Sequence, residues 1–269
     1  MNFTKHRIFA LIIVISVINC KDIKSKYFST ENTRLRTTVL GTDFIVRKEF
    51  DSILDEMILK TRENIRKHKD SGKIIAYIST PIGSKGGGDF YTNIEIAKEI
   101  KKNLEMRYGN NYFYALNPGE MKIPKVDDIS AKDGEYLYLF TEILAGPDGT
   151  GNYFDMFYFV GPKDIHTFYN FTGNNDLNKL ENFIIIRAKK NPEFRENIAN
   201  NLKRRKDFIR YYGVKASSSF SNGAHDEWNI AILLNKKREI HNRIAIHYNG
   251  TILSPSAMES SVQSGYEQN

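Results

Sequence analysis

The sequence predicts an α/β fold: a doubly wound, mainly parallel five-stranded sheet with helices on both faces. Three observations carry this. Short, almost wholly apolar runs recur along the chain, they alternate with stretches of helical periodicity, and a glycine-rich loop joins the first buried run to the helix after it. With 269 residues, 41% hydrophobic and 26% charged, the chain is long enough for one large or two small domains, and its composition excludes wholesale disorder, collagen-like repeats and coiled coil.

The first helix is expected from Phe50 to Lys67, where Phe50, Ile53, Leu54, Met57, Ile58 and Ile65 follow a helical spacing. Lys73 to Ser79 is a run with no polar residue between Ile74 and Ile78 except Tyr77, the pattern of a strand buried on both faces. It breaks into Pro81-Ile82-Gly83-Ser84-Lys85-Gly86-Gly87-Gly88, and a helix follows with Ile94, Ala97, Ile100, Lys101 and Leu104 on one stripe. Asn111 to Asn117 is the second strand, completing a βαβ unit with a right-handed crossover. Further on, Glu135 to Leu144 reads as helix, Phe154 to Val160 as an aromatic strand, and Leu177 to Arg210 as helix punctuated at Asn191-Pro192. The run Lys203-Arg204-Arg205-Lys206 in it reads as a solvated helix face. Tyr211 to Phe220 is the fourth expected strand, His225 to Lys237 a helix, and Arg243 to Tyr248 the fifth strand, turned at Asn249-Gly250. The tail after Ser254 reads as frayed.

The N-terminus reads as an export signal. Lys5, His6 and Arg7 precede an apolar stretch from Ile8 to Ile18, too short to cross a bilayer but suited to the core of a signal peptide. Cys20 follows at once and resembles the acylated cysteine of a bacterial lipobox, although Asn19 departs from the small residue usual before it. Cys20 is the only cysteine, which excludes an internal disulfide framework and any Cys-rich metal site. Loss of residues 1–19 removes Lys5 and Arg7 and no acid, so the formal charge falls from +7 to +5, too mild for a dedicated nucleic-acid groove. The expected organisation is therefore a signal peptide over 1–19, a lipidated polar tether over 20–45, and a single α/β domain over 46–269 with a helical insertion around 119–210. The chain is expected in a bacterial cell envelope, anchored to the bilayer through acylated Cys20 on the periplasmic or surface face, with no specific nucleic-acid partner and the option of a homo-oligomer.

In an open parallel sheet, ligands bind where strand ends lead into helix N-termini, and two segments are expected there. The first runs from Ser79 through Gly86, Gly87 and Gly88 to Asp89. Its glycines suit a phosphate or sugar site, and equally a plain mobile loop; it matches neither the Walker A nor the dinucleotide fingerprint. The second is Ser217 to Asn229, which places Ser221, Gly223, His225, Asp226, Glu227 and the chain's only tryptophan, Trp228, at the start of a helix. Ser221 or Asn222 is a candidate cap, and the acids suit the helix dipole. Glu227 lies three and seven residues before Ile230 and Leu234, which turns it toward the sheet, where an unpaired carboxylate is costly unless used. No Gly-x-Ser-x-Gly elbow, zinc-binding His-Glu-x-x-His or calcium loop is present, so no metal and no cofactor are expected.

Tyr77-Ile78-Ser79-Thr80-Pro81 is similar to the Tyr-Leu-Ala-Gly-Pro stretch that opens nucleoside 2-deoxyribosyltransferases and related nucleotide N-glycosidases. Ser221-Asn222-Gly223-Ala224-His225-Asp226-Glu227-Trp228-Asn229-Ile230-Ala231 resembles their Asp-Ser-Gly-Thr-Ala-Trp-Glu-Ile-Gly-Tyr-Ala segment, and Leu116-Asn117-Pro118 stands where they have a strand ending in proline. The Glu and Trp are exchanged in order, Phe220 replaces the aspartate, and residues 119–210 exceed what the family needs. The resemblance implies a transferase or hydrolase of the N-glycosidic bond of a nucleoside or nucleotide. Glu227, or Asp226 beside it, would be the carboxylate nucleophile, and Tyr77 would position it. Ser79, Gly86, Gly87, Gly88, Asp89, Ser221, Gly223, His225 and Trp228 are the candidates for substrate binding. The alternative is a membrane-tethered lipoprotein that binds a ligand without turnover. If both loops serve one site, Tyr77, Gly86–Gly88 and Glu227 must converge at the C-terminal ends of adjacent strands, with the Glu227 carboxylate within roughly 10 Å of Tyr77 and a crevice open to solvent.

Overall fold

The computed structural model describes residues 32–83 and 87–265. The signal peptide, Cys20, the first part of the tether and Gly86 lie outside them. Two strands, β1 (Thr33–Thr37) and β2 (Asp43–Arg47), form an antiparallel hairpin in which Thr33 faces Arg47. The elements then run α1 (Asp51–Asp70), β3 (Ile74–Ser79), α2 (Phe90–Tyr108), β4 (Phe113–Leu116), α3 (Asp133–Ala145) and β5 (Met156–Phe159). They continue with α4 (Pro162–Phe168), α5 (Asp176–Lys190), α6 (Leu202–Arg210), α7 (Asn222–Lys236), β6 (Ala245–Tyr248) and β7 (Thr251–Ile252).

The main sheet has five strands in the order β4-β3-β5-β6-β7, the first four parallel and β7 antiparallel at the edge. β3 is interior, with its last five residues buried, as its apolar run requires. Successive residues of a strand point to opposite faces, and two separate apolar cores follow that alternation. Ile75 and Tyr77 of β3 join Phe157, Phe159 and Ile246 in a core with Leu54, Leu139, Ile143 and Leu234, from α1, α3 and α7. Ala76 and Ile78 join Met156 and Tyr158 in a second core with Ile96, Ile100, Leu180, Ile184 and Phe208, from α2, α5 and α6. The βαβ unit is anchored by Asp89, whose carboxylate accepts from Thr92 N at 3.0 Å to cap α2, and by Gly109 at its end with φ +86°.

Four expectations are corrected. Residues 33–47 are not tether: the hairpin is held to the domain by buried Val46, and by Arg36, which reaches Asp55 at 2.6 Å and the Tyr138 hydroxyl at 2.6 Å. Alternation is hidden there because β2 carries Phe44, Ile45 and Val46 in a row, Ile45 and its partner Leu35 are exposed, and β1 puts Arg34 and Arg36 on the face of Val46. Residues 211–220 are not a strand. Tyr212 is drawn into the second core, α6 runs on as a π-turn over Tyr211–Lys215, and Ser218 ties this stretch to Val160 O through both N (2.8 Å) and Oγ (2.9 Å). β7 supplies the fifth strand instead. The segment 119–210 is not wholly an insertion, since β5 in its middle is a central strand. The tail is tied down as far as Gly265, chiefly to the start of α7: Asn229 and Val262 exchange two hydrogen bonds of 2.9 and 2.8 Å, and Asp226 accepts from Ser264 Oγ and Gly265 N.

Candidate active site

Tyr77 and Ser79 are two residues apart on β3 and so project from the same face of the sheet. The helix that meets them, α7, starts at Asn222 with Ser221 Oγ accepting from Ala224 N, so Glu227 falls in its second turn rather than its first. The helical spacing that turns Ile230 and Leu234 inward turns Glu227 with them. One carboxylate oxygen, Oε1, accepts from the Tyr77 hydroxyl, and the other, Oε2, accepts from Ser79 Oγ at 2.5 Å.

No cation faces this carboxylate among the described residues; its two partners are neutral hydroxyls. Burial therefore dominates and pushes the Glu227 carboxyl up to about 7. The bonds from Ser79 and Tyr77 favour the charged form and oppose the rise, while neighbouring Asp226 adds to it. The same burial, with the charge of Glu227, holds the Tyr77 phenol well above its ordinary value, so Tyr77 acts as a donor and not as a base. Its ring is fixed by Phe140, Phe154 and Phe157, with centroids 5.9–6.3 Å away. Trp228 stands edge-on to Phe159 at 5.1 Å and donates from Nε1 to Ser260 O at 3.0 Å. A carboxyl poised near neutrality between two fixed donors can act as base, acid or nucleophile.

Two polar side chains at the same sheet edge were not singled out by sequence reasoning. Thr80 Oγ1 follows β3 and Asn117 Nδ2 follows β4, and both are buried with no partner among the described residues. Buried polar groups are almost always satisfied, so these two are exceptions; Asn117 accepts from Gly119 N at 2.9 Å and lies beside Ala97 of α2, the helix of the second core, away from Tyr77 and Glu227. The available signal was a Thr and an Asn directly after apolar strands.

Other candidates have local partners. His225 Nε2 lies 2.9 Å from Ser219 O, Asp226 is taken by the tail, Ser221 caps α7, and Asp89 caps α2 while lying 3.6 Å from Arg187. Gly223 would tolerate a Cβ, so no close approach demands glycine there. The described glycines of the first loop, Gly87 and Gly88, do not share the Glu227 cluster. Gly87 lies beneath Tyr212, on the second-core side of the sheet, whereas Tyr77 packs in the first core. Gly87 and Gly88 line a pocket of about 570 Å³ whose lining does not include Tyr77, Ser79 or Glu227. No group of three His, Cys, Asp or Glu side chains among the described residues is placed to hold a metal ion.

Comparison of the chain with models of known protein families, with curated proteins and with solved structures gives no match.

Proposed function

We propose that the chain is an enzyme that breaks or transfers the N-glycosidic bond of a nucleoside or nucleotide at Glu227. The observation that carries this is the Glu227 carboxyl, held between Tyr77 and Ser79 with no neutralising cation among the described residues and a pKa pushed up to about 7. In the ionised form, one Glu227 oxygen attacks the anomeric carbon as the carbon–nitrogen bond breaks. The base leaves with the bonding pair and takes a proton from solvent. Water, or the hydroxyl or amine of an acceptor, then displaces Glu227 and loses its own proton. Tyr77 and Ser79 hold the carboxylate in position through both steps. The resemblance of the segments around Tyr77 and Glu227 to nucleoside 2-deoxyribosyltransferases supports the same chemistry. The two cores on either side of the parallel strands support a doubly wound fold.

A screen of nucleosides and nucleotides for released base tests the proposal. Glu227→Gln should lower turnover by at least about 10³-fold while ligand retention persists. Retention with no turnover in the wild type would instead favour a non-catalytic binding lipoprotein. Because the nucleophile must be ionised, the wild-type rate should rise with pH to a plateau above about 7. The proposed place of action is a membrane surface, through an acyl group on Cys20. Fatty-acid labelling should mark the wild type and not Cys20→Ser.

A further inference from the structure

The basic run that ought to face solvent is divided by the structure. Arg205 turns to Glu181, with Nε 2.9 Å from Oε2, while Arg204 has no carboxylate partner among the described residues. Arg204 instead lines the 570 Å³ pocket together with Asp207, Arg210, Tyr211, Lys215, Gly87 and Gly88. Arg204, Asp207 and Tyr211 are spaced three and four residues apart and share one face of α6 and its extension. Lys215 lies four residues beyond Tyr211, the same spacing, and the extension that carries it closes with Ala216 N bonded to Tyr211 O at 2.8 Å.

The opposite wall is the glycine turn. Gly87 and Gly88 have φ of +70° and +79°, and their N–H groups donate to no described residue. A Cβ at Gly87 would stand 2.4 Å from the Tyr212 ring, so that ring seats directly on bare backbone. Tyr212 is buried and donates to Asn93 Oδ1 at 2.5 Å, which fixes the two walls to each other.

The pocket holds three cations and one carboxylate. Asp207 is paired with Arg210, leaving Arg204 and Lys215 without a carboxylate among the described residues and a formal charge of +2 on the lining. We propose that this pocket is an anion site for a phosphomonoester or pyrophosphate group, separate from the Glu227 cluster. Arg204 would take two phosphate oxygens through its planar fork, and Lys215 would supply a point charge. The free glycine N–H groups would bind the remaining oxygens. A phosphomonoester is close to a dianion at neutral pH, which matches the +2; a carboxylate, or the phosphodiester of a lipid headgroup, carries one charge and matches less well. The volume leaves room for an organic group against Tyr211.

The test is calorimetric titration of the full chain with inorganic pyrophosphate and, separately, with inorganic phosphate, at fixed ionic strength. Saturable binding of pyrophosphate is expected. Arg204→Ala and Lys215→Ala should each weaken it by at least tenfold, and Arg204→Lys, which keeps the charge and loses the fork, by less. Both side chains are exposed, so unchanged thermal unfolding should accompany the loss. Glu227→Gln should bind pyrophosphate as the wild type does, which separates this site from the proposed activity. Absence of saturable binding, or equal affinity in the alanine variants, would overturn the proposal. So would loss confined to phosphatidylglycerol vesicles with pyrophosphate binding unchanged, because the ligand would then be a lipid surface.

Discussion

Glu135 of α3 and Glu227 of α7 both reach inward from helices that pack on the first core, yet their surroundings favour opposite charge states. Glu135 is 2% exposed and accepts from Arg47 Nε at 2.9 Å, Arg47 N at 3.1 Å and Lys132 N at 2.7 Å. Burial works against its charge, but the Arg47 guanidinium and these amides outweigh it and hold the carboxyl below its ordinary value. Among the described residues Glu227 has two hydroxyls and no cation beside it, and burial prevails. The Glu135 pair joins the hairpin to the helical layer and is fully committed; Glu227 keeps its proton exchangeable near neutrality. A buried carboxylate is thus a structural part or a reactive group according to its partners.

The sharpest way to break this contrast is to take the cation from Glu135. Arg47→Met would leave that carboxylate buried and unpaired and should cost about 3–5 kcal/mol in urea denaturation. A cost below about 1 kcal/mol would place the pair among surface ion pairs.

The next effect separates the two glutamates by pH. Glu227 has a folded pKa raised from 4.5 to about 7, so its contribution is fully present below pH 4.5 and is lost as pH rises through 7. Glu135 has a lowered folded pKa, so its contribution is present above the ordinary carboxylate range and lost as pH falls through the folded value. Glu227→Gln should therefore flatten the stability profile between pH 4.5 and 7. At pH 8 the variant should be more stable than the wild type, by up to about 3 kcal/mol from the size of the shift. A variant less stable at pH 8 would mean that the charged form is welcome in its site.

The smallest expected effect concerns the strap over α7. Asn229→Ala removes both bonds to Val262 and should cost about 1–2 kcal/mol locally. It should appear as faster amide exchange at Val262 with the Glu227 titration unmoved; a shifted titration would show that the tail helps to set the site.

Much of the sheet was legible because β3 and β5 are buried on both faces, and apolar runs broken by Gly and Pro say so directly. Glu227 was legible for a related reason: its spacing to Ile230 and Leu234 fixes its direction once α7 is a helix. What escaped depends on contacts distant in sequence. The aromatic run at Tyr211-Tyr212 has strand chemistry, but Asn93 and Gly87, more than a hundred residues earlier, hold it as a π-turn. The glycine loop was placed at the correct strand end, yet its chemistry depends on which side it leaves, and only Tyr212 decides that. The tail is polar and aperiodic because Asp226, Trp228 and Asn229 bind it mainly through its backbone, which leaves little trace in side-chain pattern.

The central claim, that Glu227 is an uncompensated carboxyl held by two hydroxyls, is tested most directly by following its side-chain carboxyl carbon by NMR in glutamate-labelled protein across pH 3–9. A midpoint at about 7 is expected. In Tyr77→Phe it should rise, because a hydrogen bond that favours the carboxylate has been removed. A midpoint at the ordinary value of 4.5, or a fall in the Tyr77→Phe protein, would contradict the account.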